Sequence, residues 1–395
     1  MPVKAPLTWP ATGAIRRLAE SPSFAGSMGQ IDAGFEAFIK RTCELAQLPA
    51  PTFHETGRAT WVADQMREIG LQSVRADDDA NVTGLLPGDE PGIVVAAHMD
   101  TVFGEDEDHS VHRENGRLRG RGVGDNTIGL TAMLEVAKAL RAHGGRKRAV
   151  WFAATVGEEG LGNLRGVRAV VDEIGDAAGG FIAVEGHFLG RICTSGVGSR
   201  RWRITVRGSG GHSWHDYGAP SAVHATAEII MRLTSLELPA RPRTTLNVGR
   251  VEGGEGVNVI ARKALLELDL RSENQDQLET TGASIEEIVD EITRARALEV
   301  DAVLIGDRPA ARTDNKHPLV AAAAEALRCV GLEPAYEAAS TDANYPGSLG
   351  MPSVCIGVTR GGGMHTPEEW VEEAPARDGL RQLALLVAAL SGVEE

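Results

Sequence analysis

Imidazoles and carboxylates that directly follow short apolar runs are the residues of this chain with the clearest chemical potential. The apolar run 92–97 is followed by His98, Met99 and Asp100. On a strand, residues i and i+2 face the same side, so His98 and Asp100 would project together. The carboxylate could then hold a metal-ligating imidazole by its second nitrogen. The pair alone is a weak signal, because a capping aspartate beside a surface histidine gives the same pattern.

Three more carboxylates stand next to glycines. Asp125 lies in the turn GVGDN, and Glu158 and Glu159 lie between two glycines after the apolar run 149–155. Neighbouring carboxylates that leave a strand point in different directions, so one could ligate a cation while the other moves a proton. Each feature also has an ordinary explanation, since Asp125 could cap the helix that follows it and the two glutamates could form a surface charge pair.

The conjunction of these features indicates a metal site. Glu185 ends a further apolar run at 181–184, and His365 follows the run 353–358 in a glycine-rich segment. Charged groups are costly to bury together without a cation that neutralises them. With histidine, aspartate and glutamate as ligands and no cysteine, we expect one or two divalent ions. Zinc is favoured, and manganese or cobalt are alternatives.

The periodicity of the chain predicts the elements that position these groups. Apolar residues spaced by three and four predict helices, and short apolar runs predict buried strands. Outside the middle of the chain, the predicted helices are 35–49, 57–69, 126–143, 319–327 and 380–390, and the predicted strands are 82–86, 92–97, 149–155, 181–184 and 353–358. Alternating strands and helices imply a mostly parallel sheet that is flanked by helices.

The middle of the chain has a different pattern. Apolar and polar residues alternate from 201 to 207, which is the period of a strand with one wet face. Further strands are predicted at 244–251 and 264–271, with helices at 219–236 and 275–294. We therefore predict an α/β fold with a discontinuous metal-binding domain, residues 1–197 and 308–395. An α+β domain with an antiparallel sheet, residues 198–307, is inserted into it.

Composition and charge argue against several classes of protein. The chain has 40 lysine and arginine residues against 55 aspartate and glutamate residues, a net charge of -15, and no basic stripe, which disfavours nucleic-acid binding. The longest apolar run, 383–390, is far below the roughly 18 residues of a membrane span. Without an apolar leader segment or paired cysteine spacing, we expect a cytoplasmic protein with reduced thiols and no membrane partner.

In combination, the motifs resemble those of the dinuclear zinc metallopeptidases and aminoacylases. This family includes glutamate carboxypeptidase, acetylornithine deacetylase, succinyl-diaminopimelate desuccinylase and peptidase T. The segments AAHMDTV, GVGDNTIGL, TVGEEG, AVEG and GGGMHTPEE occur in the order of the family, and the resemblance extends from about Ala46 to the carboxyl end.

The resemblance implies a role for each residue of the metal site. One metal would be held by His98, Asp125 and Glu185, and the other by Asp125, Glu159 and His365, so that Asp125 bridges the two ions. Asp100 would orient His98. A hydroxide bridging the two metals would attack an amide carbonyl, with Glu158 as the general base.

The resemblance also implies residues that contact the substrate. In this family a histidine of the inserted domain stabilises the oxyanion in the active site of a partner subunit, and His212 in GSGGHSW matches it, with His215 as a weaker alternative. Asn258 resembles the asparagine of the lid, and Arg271 resembles the arginine that clamps a substrate carboxylate. Arg360 and the glycines after it would border the pocket. A turn histidine and a solvent-facing strand arginine are the ordinary alternatives for His212 and Arg271.

These expectations combine into one leading hypothesis. The protein would be a cytoplasmic homodimer, paired through its inserted lid domain, that hydrolyses a peptide or N-acyl amino acid bond next to a free carboxylate. A glutamate in the third-ligand position, here Glu185, is found in carboxypeptidases and deacylases of the family more than in aminopeptidases. Asn126, which follows the bridging aspartate, departs from the pattern of several relatives and leaves the subfamily open. The alternatives are hydrolytic deamination of an aromatic or heterocyclic amine, aminopeptidase or tripeptidase activity, and an inactive scaffold. The other histidines, among them His187, are expected on the surface or in packing roles.

Overall fold

The computed structural model describes residues 7–393. The described helices are α1 (Thr12–Glu20), α2 (Pro22–Ala46), α3 (Thr56–Ile69), α4 (Ile128–His143), α5 (Arg165–Ile174), α6 (Ala222–Thr234), α7 (Gln275–Ala295), α8 (Pro318–Cys329), α9 (Asn344–Ser348) and α10 (Glu373–Leu390). The described strands are β1 (Gln72–Ala76), β2 (Val82–Leu86), β3 (Asp89–His98), β4 (His112–Glu114), β5 (Arg117–Arg119), β6 (Arg148–Thr155), β7 (Ala178–Glu185), β8 (Arg191–Gly196), β9 (Gly198–Arg207), β10 (Gly211–His212), β11 (Thr244–Gly253), β12 (Val259–Ile260), β13 (Lys263–Ser272), β14 (Glu299–Arg308), β15 (Ala311–Arg312), β16 (Ala335–Ala339), β17 (Ser353–Gly357), β18 (Gly361–Gly362) and β19 (Trp370–Glu372).

The chain divides at Gly196 and Arg312 into two compact units, one of which is Val197–Ala311.

The larger unit is built on a sheet with the strand order β1-β2-β6-β3-β7-β17-β8-β15. Its four central strands, β6, β3, β7 and β17, are parallel, whereas β2 and β8 run antiparallel to their central neighbours. The predicted α/β class is confirmed, with antiparallel pairs on both sides of the parallel core. Because parallel strands end at the same edge, the carboxyl ends of β3, β6 and β7 meet there.

Alternate residues of the central strands pack into different apolar layers. Val95 and Ala97 of β3 belong to the cluster that contains α2, α4, α8 and α10. Val94 and Ala96 belong to the cluster on the other face, which contains α5. Both faces of β3 are therefore dry, which explains why the strand reads as one continuous apolar run. This rigid layer fixes the position of His98 at the end of the strand.

The unit Val197–Ala311 is an antiparallel sheet with the strand order β11-β13-β9-β14. Helices α6 and α7 share one apolar cluster with Trp202 and alternate residues of β9 and β13. On the other face, cross-strand ion pairs join Arg201 to Asp269 and Arg203 to Glu267. This unit overlaps the inserted domain predicted at 198–307, whose role as a lid and dimerisation domain remains a prediction.

Two further observations bear on the expected class of protein. No helix in residues 7–393 is long and apolar enough to cross a bilayer. All four cysteines carry free thiols, and two of them, Cys193 and Cys355, are buried.

Replacing Trp202 with alanine should destabilise the unit Val197–Ala311. The Trp202 side chain is 2% exposed, and its indole nitrogen donates to Glu286 at 3.2 Å. The large cavity should cost about 3–5 kcal/mol of unfolding free energy, measured by chemical denaturation. Trp214→Ala is the matched control, because this tryptophan is 82% exposed and its loss should change stability by no more than about 0.5 kcal/mol. Equal effects of the two substitutions would contradict the described core.

Candidate metal centre

The five predicted ligands come from the ends of three central strands and from two loops. His98 and Glu185 are the last residues of β3 and β7, and Glu159 follows β6 by four residues. Asp125 lies in an irregular turn, Val123–Thr127, that precedes α4. His365 lies in the loop of the β18–β19 hairpin, whose strands belong to a small sheet with β5 and β4. The fold brings all five side chains together.

The ligand atoms form two groups that share Asp125. In one group, His98 Nε2 lies 3.0 Å from Asp125 Oδ1 and 3.6 Å from Glu185 Oε2. In the other, His365 Nε2 lies 3.1 Å from Asp125 Oδ2 and 3.1 Å from Glu159 Oε1. Asp125 thus offers one carboxylate oxygen to each group. This division is the one that the resemblance implied.

The hydrogen bonds of His98 indicate what the first group can bind. Its Nδ1 lies 3.0 Å from the backbone oxygen of Asp100, which can only accept, so Nδ1 carries the proton. In a neutral imidazole, Nε2 is then a lone pair that faces the carboxylate oxygens of Asp125 and Glu185. That arrangement is repulsive unless a proton or a metal cation lies between them. Three carboxylates and two imidazoles are a suitable donor set for zinc, manganese or cobalt.

The protonation behaviour of the group leads to the same conclusion. Burial raises the pKa of the Glu185 carboxyl to about 7 and also raises the pKa of Glu159. Burial disfavours the charged form of His98, but the neighbouring carboxylates outweigh it and raise its pKa well above the ordinary value. Hydrogen bonds to the carboxylates raise the pKa of His365 to about 10. The buried carboxylates therefore require positive charge between them, which a divalent cation can supply in place of protons.

Asp100 differs in one detail from the prediction. Its carboxylate Oδ1 lies 3.6 Å from His98 Nδ1, and the backbone oxygen makes the shorter contact. The strand rule does not extend to Asp100, because β3 ends at His98. The Asp100 carboxylate instead accepts the backbone N–H groups of Glu158, at 3.0 Å, and Glu159, at 2.9 Å, and the hydroxyl of Thr52 at 2.9 Å. It therefore positions the proposed base and a proposed ligand through their main chain.

Glu158 lies beside the ligand groups in sequence and is buried. The side chains of Glu158 and Glu159 are both almost completely buried. The strand β6 ends at Thr155, and the segment after it is held by the two hydrogen bonds to Asp100. The main chain that carries the Glu158 carboxylate is therefore held in a fixed position.

Glu369, the last residue of the segment GGGMHTPEE, has a structural role that the sequence did not predict. The side chain is fully buried and accepts the backbone N–H groups of Gly122 at 2.8 Å, Gly124 at 3.0 Å and Asp125 at 2.7 Å. It also lies 3.2 Å from Nε2 of His187, which is buried and takes part in this network. The turn that carries the shared ligand is therefore fixed by one carboxylate.

Glycine is required where this turn approaches β7. A Cβ atom on Gly186 would lie 1.9 Å from the backbone oxygen of Gly124. Asn126, the residue that departs from the family pattern, donates from Nδ2 to the backbone oxygen of Val184 at 2.7 Å. These contacts hold the turn against the strand that ends in Glu185.

Two of the predicted substrate residues lie together in the unit Val197–Ala311. His212 on β10 is paired with Val259 on β12, and the N–H of Ser213 donates to the backbone oxygen of Asn258 at 3.0 Å. His212 Nδ1 accepts the N–H of Trp214 at 3.1 Å, so the proton of a neutral imidazole is on Nε2. The exposed His212 side chain can therefore donate a hydrogen bond from Nε2.

The two predicted arginines have different surroundings. Arg271 on β13 donates from Nε to Asp269 Oδ2 at 2.6 Å, and Asp269 also pairs with Arg201. Arg360 lies in the larger unit, on the wall of a cavity that also includes residues 361–364. Arg271 is thus held by its own strand, while Arg360 faces a cavity.

The chain as a whole resembles known hydrolases. Residues 94–389 match the peptidase family M20/M25/M40. The chain belongs to this family. The M20 match contains all of the proposed ligands, from His98 to His365, and it includes Glu369.

Individual relatives are distant but align over most of their length. The uncharacterized protein YqjE of Bacillus subtilis is 24% identical over 341 residues, which cover 81% of this chain and 89% of that protein. Succinyl-diaminopimelate desuccinylase of Marinobacter nauticus is 27% identical over 307 residues, which cover 73% of this M20 chain and 80% of that enzyme. The crystal structure of aminopeptidase PepT from Bacillus cereus superposes with a TM-score of 0.76 at 21% identity and covers 90% of this chain and 98% of that one. The likeness to PepT shows a shared fold.

Replacing Glu369 with glutamine should weaken metal binding. An amide offers one acceptor oxygen in place of a charged carboxylate, and its NH2 group would face the backbone N–H groups of the Asp125 turn. We expect an affinity for Zn²⁺ about 10–100-fold lower, measured by calorimetric titration of the metal-stripped protein. Glu368→Gln is the matched control, since Glu368 is exposed and adjacent. Unchanged affinity in Glu369→Gln would show that the turn is held by other contacts.

Proposed function

We propose that this protein is a metal-dependent hydrolase that cleaves an amide bond, in a peptide or an N-acyl amino acid, next to a free carboxylate. The observation that carries the proposal is the pair of ligand groups joined through the two oxygens of Asp125. Membership of the M20 family and the likeness to a desuccinylase support it.

The proposed ligands suit two divalent ions. His98, Asp125 and Glu185 would hold one ion, and Asp125, Glu159 and His365 the other. The donor set favours zinc and admits manganese or cobalt. When bound, such ions acidify water and polarise a carbonyl oxygen.

Glu158 is the proposed general base. It would accept a proton from the attacking water and deliver it to the departing nitrogen, which a carboxylate can do when its position is fixed. The two backbone hydrogen bonds to Asp100 support that role, because they fix the main chain of Glu158 and Glu159 together.

Residues of the unit Val197–Ala311 are proposed to contact the substrate. His212 would donate from Nε2 to the oxyanion that develops on the carbonyl, a role that its contact with Trp214 supports. We propose that it does so in the partner subunit of a homodimer. Arg271 would bind the substrate carboxylate next to the scissile bond, after exchanging its ion pair with Asp269, and Asn258 would contribute beside His212.

The proposed activity can be tested with metal-loaded and metal-stripped protein. The substrates are N-acyl amino acids, dipeptides and tripeptides, with an amino-substituted heterocycle to detect deamination. We expect metal-dependent hydrolysis of the N-acyl amino acids or dipeptides, and Glu158→Ala should lower kcat by on the order of 10²–10⁴-fold. Metal content, measured by elemental analysis, should be the same in wild type and Glu158→Ala. Equal rates for the two proteins would remove Glu158 as the base, and deamination without amide cleavage would refute the proposed reaction.

The role of His212 can be tested by substitution and subunit mixing. His212→Ala should lower kcat by about 10²–10³-fold, whereas His215→Ala, its ring neighbour at 4.8 Å, should have a small effect. Mixing and exchanging subunits of His212→Ala with Glu158→Ala should restore activity, because one site of each mixed dimer would then be complete. A strict monomer by gel filtration, or no recovery after confirmed exchange, would exclude action across the interface.

A further inference from the structure

The larger unit contains a cavity whose wall segments adjoin two proposed metal ligands in sequence. It has a volume of about 310 Å³, and its walls are formed by residues 187–191 and 360–364. Both segments adjoin proposed ligands, since Glu185 precedes the first by two residues and His365 directly follows the second. The cavity walls and two of the proposed ligands are therefore carried by the same two segments of the chain.

The described walls of the cavity carry positive charge. Arg191 and Arg360 line it, and no aspartate or glutamate does. The chain as a whole has a net charge of -15, so a cavity with two guanidinium groups and no carboxylate in its lining stands out from the rest of the protein. Its field favours an anion.

Arg360 is the guanidinium that is available to a ligand. Its side chain is exposed and makes no hydrogen bond or ion pair within residues 7–393. Arg191 is already engaged, because its Nη1 donates to Glu337 at 2.9 Å and its guanidinium lies 5.4 Å from the centre of the Phe188 ring. A planar guanidinium without a protein partner can bind a carboxylate through two parallel hydrogen bonds.

The remaining lining and the size of the cavity limit what the anion can be attached to. Phe188, Leu189 and Met364 provide apolar surface that suits methylene groups. The volume is at the lower end of the roughly 300–1,000 Å³ that ligand pockets span. The cavity is therefore large enough for a short aliphatic arm that ends in a charge.

We propose that this cavity is a subsite for a second substrate carboxylate, carried at the end of a short aliphatic chain, and that Arg360 is its principal ligand. The inference rests on the proposed function, in which a first carboxylate lies next to the scissile bond. It specifies the substrate class as amides with an acidic side chain or a dicarboxylic acyl group. His187 connects the cavity to the metal centre, because it lines the cavity and contacts Glu369, which holds the Asp125 turn.

The test uses metal-loaded protein and pairs of substrates that differ in one group. Each pair replaces the second carboxylate with the isosteric carboxamide, as in N-acetylglutamate against N-acetylglutamine and N-succinylalanine against N-succinamylalanine. Wild type should prefer the acid in at least one pair by about tenfold or more in kcat/KM, mainly through KM. Arg360→Gln should abolish that preference, mainly by raising KM for the acidic substrates.

Arg67→Gln is the matched control for the loss of one positive charge. Arg67 is exposed on α3 and pairs with Asp64 on the same helix, so the preference should persist in this variant. If wild type hydrolyses amides but prefers neither member of any pair, or if Arg360→Gln keeps the preference, the subsite is refuted while the proposed function stands.

A binding measurement keeps the subsite testable if no amide is hydrolysed. Succinate is titrated calorimetrically into metal-loaded wild type and Arg360→Gln, and acetate serves as the probe for carboxylate binding to the metals alone. We expect the Kd of succinate to rise by about tenfold in the variant and the Kd of acetate to stay unchanged. Equal succinate affinities in the two proteins, or equal losses for both probes, would overturn the proposal.

Discussion

Mutual repulsion among buried carboxylates is the constraint on which the rest of this structure depends. Asp125, Glu159 and Glu185 converge on two imidazoles, and little of the three carboxylates is exposed to solvent. The free energy needed to assemble them must be supplied by the surrounding fold and by the cation that they bind. The parallel core supplies part of this free energy, because His98 and Glu185 are the last residues of β3 and β7, two strands that are buried on both faces.

Two further carboxylates act on the main chain and have no place among the proposed ligands. Asp100 accepts hydrogen bonds from the backbone N–H groups of Glu158 and Glu159, and Glu369 accepts them from those of the Asp125 turn. The segments that carry Glu159 and Asp125 are thus each fixed by an anion that accepts several backbone hydrogen bonds. Negative charge beneath the loops also strengthens the field that attracts a cation, so positioning and electrostatics act in the same direction.

Much of the fold could be predicted from the sequence where its periodicity is strong. The predicted strand 82–86 coincides with β2, and the predicted helix 57–69 begins one residue after α3 does. The predicted helix 126–143 begins too early, because Asp125 and Asn126 adopt non-helical backbone angles before α4. The segment before residue 35 was not predicted as helix, since its glycines and serines have low helix propensity. Packing of α2 against α4 overrides that preference.

The site was predictable to the extent that its chemistry is local in sequence. Four of the proposed ligands follow apolar runs and Asp125 lies in a glycine turn, so each belongs to a short motif, which is why the two groups could be anticipated. The small sheet of β4, β5, β18 and β19 could not, because strands of two or three residues have no measurable period. The role of Glu369 depends on contacts with backbone atoms more than 240 residues away, for which side-chain types give no signal.

The two halves of the centre differ in how firmly they are built. His98 is 1% exposed at the end of a central strand, whereas the His365 side chain is 49% exposed on the loop of a short hairpin. Opening that hairpin loop would disturb far fewer apolar contacts than withdrawing β3 would. Exchange with the solvent should therefore be faster at the hairpin half, and a protein that holds a single ion should retain it between His98 and Glu185. Occupancy of the second position would then depend on the concentration of available metal more strongly than occupancy of the first.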